Sequence, residues 1–132
     1  MRRVATTLAV LCAVCLVVKF SFAADKSDSK SEKITGQLID QACGKNMMKK
    51  DDPEASAAKH SRSCAMKESC ADSGYAVISG KHMYKFDDKG NEKAKEYLKN
   101  AKDDKAQKVV VEGTKKGDDE IEVTSITAAE EK

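Results

Sequence analysis

A mainly β domain of five strands, with its regular helix between the third and the fourth, is the fold class this sequence predicts. Three observations carry that prediction. Apolar and polar residues alternate in "ITGQLID", two β-rich runs, "YAVISG" and "KHMYKFD", meet at Gly80-Lys81, and "KVVVEGTKKGDDEIEVTSIT" holds two more such runs around one turn.

The first strand is expected over Ile34 to Asp40, half-buried through Ile34, Gly36 and Leu38, with the glycine at a possible bend. The second and third should form a hairpin, the third placing His82, Tyr84 and Phe86 on one face and Met83 and Lys85 on the other. "DDKGN" then reads as a turn. Asn91 caps a helix from Glu92 to about Lys102, whose apolar stripe is Ala94, Tyr97, Leu98 and Ala101. The last two strands turn at Gly117-Asp118-Asp119 and point Val109, Val111, Ile121 and Val123 inward. Strand, long insert, strand, strand, helix, strand, strand is the order of a five-stranded OB-like barrel. An open sheet of the same order with a helix packed on it satisfies the local pattern as well.

Residues 1–23 have a basic start at Arg2 and Arg3, an apolar run from Val4 to Val18 and small residues at Ser21 and Ala23, the form of a cleavable secretory signal. The run is about 15 residues, short of the roughly 20 a membrane-spanning helix needs, so no span is expected after cleavage. Leu11 before Cys12 and Val14 before Cys15 make a poor context for a lipidated cysteine. The expected location is secreted or periplasmic. Residues 24–33, "ADKSDSKSEK", carry no large apolar side chain and read as a disordered linker. The folded domain is expected over 34–127, with an insert at 44–73 and a flexible tail at 128–132.

Loss of Arg2, Arg3 and Lys19 leaves 21 of the 24 basic residues against 22 acidic ones, a mature chain of about 109 residues and near-zero charge. That is one small domain, with no electrostatic pull toward nucleic acid. The absence of Trp and the need of the core for Tyr75, Tyr84, Phe86 and Tyr97 also count against nucleic-acid stacking. The lysine pairs at 49–50 and 115–116 read as solvated edges.

The insert holds the chemistry. Asp52-Pro53-Glu54 is a helix start leading into "EASAAKHSR", and a second short helix fits Ser63 to Cys70. Three cysteines outlast the signal, Cys43, Cys64 and Cys70, an odd number in an oxidising compartment. At this point "GQLIDQACG", "DPEASAAKHSRSCAMKESCADSGYAV", "MYKFDDKGNEKAKEYL" and "VVVEGTKKGDDEIEVTSI" together resemble a family of small secreted bacterial proteins with an OB-like domain and no established activity. Its pattern falls on Asp40, Cys43, His60, Cys64, Cys70, Ser73, Gly74 and Tyr75, and the resemblance implies that these residues act as one unit.

Three chemistries fit that unit. On one continuous helix Cys64 and Cys70 would stand about 9 Å apart, too far for a disulfide, so a staple is expected from Cys43 to either of them. Closing a loop of about 22 to 28 residues, it would contribute roughly 3 to 3.5 kcal/mol in the chain-entropy account. A metal site would use Cys43, His60, Cys64 and Cys70, with His60 and Cys64 on one face of a helix and Asp40, Met47, Met48 and Met66 in support. Met83 and His82 lie in the same stretch of chain. Soft sulfur donors beside imidazole suit copper, and the same four ligands suit zinc, although no C-x-x-C pair is present. A thiol-redox protein would need His60 to lower the pKa of Cys64. The leading expectation is a monomeric, non-enzymatic binding module that takes an envelope protein or a small ligand, is stapled by the disulfide and needs no cofactor. Copper or zinc binding comes second and thiol chemistry third.

Overall fold

The computed structural model describes residues 30–130, so the expected signal at 1–23 and most of the linker lie outside the described residues. Five strands, β1 (Glu32–Asp40), β2 (Tyr75–Ser79), β3 (His82–Phe86), β4 (Gln107–Lys115) and β5 (Glu120–Ala128), close into a barrel in the order β1-β2-β3-β5-β4. Every neighbouring pair is antiparallel except β3 with β5. This is the closed barrel with a helix after its third strand that the element order predicts, and the open-sheet alternative is set aside.

Several boundaries move. β1 begins at Glu32, two residues inside the expected linker, because Glu32 and Lys33 pair with Gly113 and Glu112 of β4. β5 runs to Ala128, one residue into the expected tail. The helix α5 spans Asp88–Asn100, four residues longer at its start than expected, and its cap is Asp87 rather than Asn91. "DDKGN" is therefore helix and not turn. Asp87 Oδ1 accepts from the amides of Gly90 and Val123, which satisfies the helix end and ties it to β5. A Cβ on Gly90 would stand 2.6 Å from a methyl of Val123, so this glycine serves close packing. Asn91, freed from capping, accepts the Tyr75 amide at 2.7 Å and joins the helix to β2.

The barrel interior is filled by Ile34, Leu38, Tyr75, Val77, Phe86, Val109, Val111, Ile121 and Val123, with Ala94 and Leu98 of α5 and Ala65 of the insert closing it. Of the expected stripe, Tyr97 packs partly against this core and Ala101 is the helix C-cap. A second, smaller cluster of Ile39, Ala57, Ala76 and Ile78 lies on the other face of β1 and β2, beneath the insert. β1 is consequently buried from Gly36 to Asp40 instead of on alternate residues.

Gly36 sits where β1 begins to pass from its pairing with β4 to its pairing with β2, and a Cβ there would run into the carbonyl of Ile78. Gly80 opens the two-residue hairpin turn at φ 59° with open space around it. Gly36→Ala should therefore destabilise the domain by about 2 kcal/mol or more, as a backbone clash cannot relax cheaply. Gly80→Ala should cost only about 1 kcal/mol of left-handed strain. Urea unfolding of the two variants tests this, and the reverse ranking would show that β1 does not cross β2 so closely.

Candidate metal centre

The insert runs from Gln41 to Gly74 and consists of four short helices: α1 (Gln41–Met47), α2 (Pro53–Ala57), α3 (Arg62–Ala65) and α4 (Glu68–Ala71). Asp52 caps α2 with Pro53 in its first turn, as expected, but α2 stops at Ala57. Ser61 then accepts the Cys64 amide at 3.2 Å and starts α3 afresh. His60 thus lies in the link between α2 and α3, and the expectation that it shares a helix with Cys64 is corrected: a capping serine one residue on ends the periodicity. The helix expected over Ser63 to Cys70 is likewise two, α3 and α4. The 9 Å separation expected for Cys64 and Cys70 on one helix no longer applies.

Helices of four to seven residues do not hold themselves, and this insert is fastened at its ends. Gln41 donates its amide to Gly74 O at 2.8 Å and its side chain to Tyr75 O. The Ser73 hydroxyl accepts the Ala42 amide and donates to Cys70 O at 2.6 Å. Arg62 donates to Leu98 O, and Asp104 accepts from the amide and hydroxyl of Ser63, docking α3 on the end of α5.

Between these fastenings the chain gathers the predicted residues. Donor atoms of Cys43, His60 and Cys64 all lie within 4.8 Å of one another, and so do those of Asp40, Cys43 and Cys70. Cys43 is common to both groups. All three cysteines are free and half-buried. Asp40 is fully buried at the end of β1, where Oδ1 caps α1 by accepting the Cys43 amide at 2.8 Å. Its Oδ2 stands 3.4 Å from His60 Nε2 but is not aligned for a hydrogen bond, so Oδ2 and both nitrogens of the buried imidazole lack a partner.

This environment opposes ionisation of the nearest thiol. Burial first, then the negative charge of Asp40 and the hydrogen bonds and charges of Asp40 and Cys70, push the Cys43 thiol from 9.0 up to about 12. Burial, and secondarily Asp40 and Cys70, also raise the hydroxyl of Tyr75, which donates to Ala65 O at 3.4 Å.

The methionines divide. Met47, Met48 and Met83 pack with Cys43 on the small cluster under the insert, whereas Met66 packs on the barrel core and receives an Arg62 N–H at 3.7 Å. His82 belongs to neither donor group; it is exposed, stacks on Tyr84 and lines a shallow cleft with Lys45, Met48, Lys81, Met83 and Lys85. Asn91 is read from the sequence as a helix cap and not as the acceptor that anchors Tyr75, and the capping Ser61 is not singled out; "HS" before a four-residue helix is the signal that marks Ser61. Compared with protein-family models, curated proteins and solved structures, the chain matches none.

A thiol held near 12 is almost wholly protonated at pH 8, with a thiolate fraction roughly 10³-fold below that of an ordinary cysteine. Site-resolved alkylation of the reduced protein should find Cys43 sluggish, and Asp40→Asn should speed it by removing one of the causes while burial remains. Because the folded pKa lies above the unfolded one, the contribution to stability is complete below pH 9 and declines as pH rises toward 12. Rapid labelling of Cys43 at pH 8, unaffected by Asp40→Asn, would contradict this account.

Proposed function

We propose that the protein is an exported OB-like binding module whose insert holds a soft d10 metal ion, Cu(I) or Zn(II), through Cys43, His60 and Cys64. The observation that carries this reading is the pair of buried, unpartnered groups beside the thiols. A buried carboxylate and imidazole with orphaned polar atoms are costly unless compensated, and a cation between them and the sulfurs compensates both. Two thiolates and an imidazole are a donor set that Cu(I) accepts in three-coordination and Zn(II) accepts with one further ligand.

Asp40 has the place of an outer carboxylate. His60 Nε2 stands 3.4 Å from Asp40 Oδ2, so an Nε2–H to Oδ2 bond would fix the tautomer and leave Nδ1 for the ion. The ion displaces the thiol protons as it binds. Without the ion, a nucleophilic role for Cys43 is disfavoured by the same surroundings that hold its proton.

The test is an oxygen-free titration of the reduced, exported protein with Cu(I) and, separately, Zn(II) against a chromophoric chelator. About one equivalent should be retained, and His60→Ala and Cys64→Ser should each lower affinity by at least about tenfold with circular dichroism unchanged. Retention of neither ion, or equal retention by His60→Ala, would refute the site. The two arms decide between copper and zinc.

A further inference from the structure

Cys43 stands in two overlapping groups, one with His60 and Cys64 and the other with Asp40 and Cys70. Its sulfur serves only one of them at a time: a sulfur in a disulfide is no longer a thiolate ligand. Resting on the metal reading above, we propose that Cys70 is a redox partner of Cys43 rather than a ligand, and that joining the two as a disulfide withdraws Cys43 and releases the ion.

Three features of the site lead there. The Cys70 sulfur lies within 4.8 Å of the Cys43 sulfur and of an Asp40 oxygen, while Cys70 has no place in the group formed with His60. α3 and α4 are separate helices, and they deliver Cys64 and Cys70 to different donor groups that share Cys43. Finally, α4 is secured to the start of α1 through Ser73, whose hydroxyl donates to Cys70 O and accepts from the Ala42 amide, which holds the two cysteines near one another without an ion. The odd third cysteine of this export-directed chain thereby acquires a role: Cys43 and Cys64 are the sulfur ligands, and Cys70 is the sulfur that takes Cys43 away from the ion.

The oxidant is a low-molecular-weight disulfide. Cys70, as its thiolate, attacks one sulfur of that disulfide and expels one small thiol, leaving a mixed disulfide. The Cys43 sulfur leaves the ion and attacks the Cys70 sulfur, expelling the second. Two electrons pass from the two cysteine sulfurs to the small disulfide. The Cys70 proton ends on one leaving thiol; the other leaves as thiolate, because Cys43 gave up its proton when the ion bound.

The experiment loads the reduced protein in parallel with Cu(I) or Zn(II) without oxygen, adds oxidised glutathione, and follows released ion with a chromophoric chelator while peptide mass mapping locates the disulfide. About one ion should appear per Cys43–Cys70 bond, and Cys70→Ser, which keeps all three ligands, should load normally and release at least about tenfold more slowly. Cys70→Ala replaces it should the serine disturb α4. Cys64→Ser should form the same disulfide although it loads poorly, so pairing is read separately from metal binding. A wild-type protein that loads neither ion overturns the metal reading before oxidant is added, and the gating with it. Normal loading followed by a Cys43–Cys64 bond, by an oxidised protein that keeps its ion, or by release from Cys70→Ser at the wild-type rate overturns the gating alone.

Discussion

The buried carboxylate of Asp40 is the constraint on which the rest of this molecule turns. It is the last residue of β1, paired across to Tyr75, so its position is set by the barrel. One oxygen caps α1 and so fixes the direction in which the insert departs; the other faces His60 at the far end of α2. A charge there is expensive to bury, and it is retained where it both starts a helix and bears on a histidine and a thiol. Strand end, helix start and candidate site are thus one structural event.

Closure of the barrel makes that event possible. β1 pairs with β4 along most of its length and with β2 at its end, and α5 plugs the interior through Ala94 and Leu98. The outer face of β1 and β2 is then free to receive the insert, whose Ala57 and methionines bury Ile39, Ala76 and Ile78. A long insertion adds little chain-closure cost once its ends are neighbours, and here Asp40 and Tyr75 are paired residues.

How much of this was legible in the sequence depended on the range of the interaction. Strand alternation is a local signal, and Val109, Val111, Ile121 and Val123 point inward as their period requires. The start of α5 is hidden in the sequence because Gly90 resembles a turn residue, when its lack of a side chain answers a methyl of Val123 from a distant strand. Continuous burial along β1 was hidden for the same reason: the cover on its second face comes from the insert. The donors of the candidate site were all visible as residue types, but their grouping was not. The sequence placed His60 and Cys64 on one helix by spacing alone, whereas Ser61 breaks that helix and the two side chains meet across a link. That Cys43 belongs to two groups has no trace in spacing.

The division of the donors bears on which covalent or coordinate bond this insert needs. Its four helices are too short to persist alone, and either a disulfide or an ion would supply constraint. They differ in what they leave behind. A disulfide from Cys43 satisfies two sulfurs but leaves Asp40 Oδ2 and both His60 nitrogens buried without partners, each orphaned group costing roughly 1–3 kcal/mol. An ion at Cys43, His60 and Cys64 would engage the imidazole, supply positive charge beside the carboxylate, and relieve the repulsion that helps hold the Cys43 proton in place. A staple alone gives no reason to bury an acid against a histidine. A metal site that oxidation could empty would use the buried carboxylate and imidazole together with all three half-buried thiols.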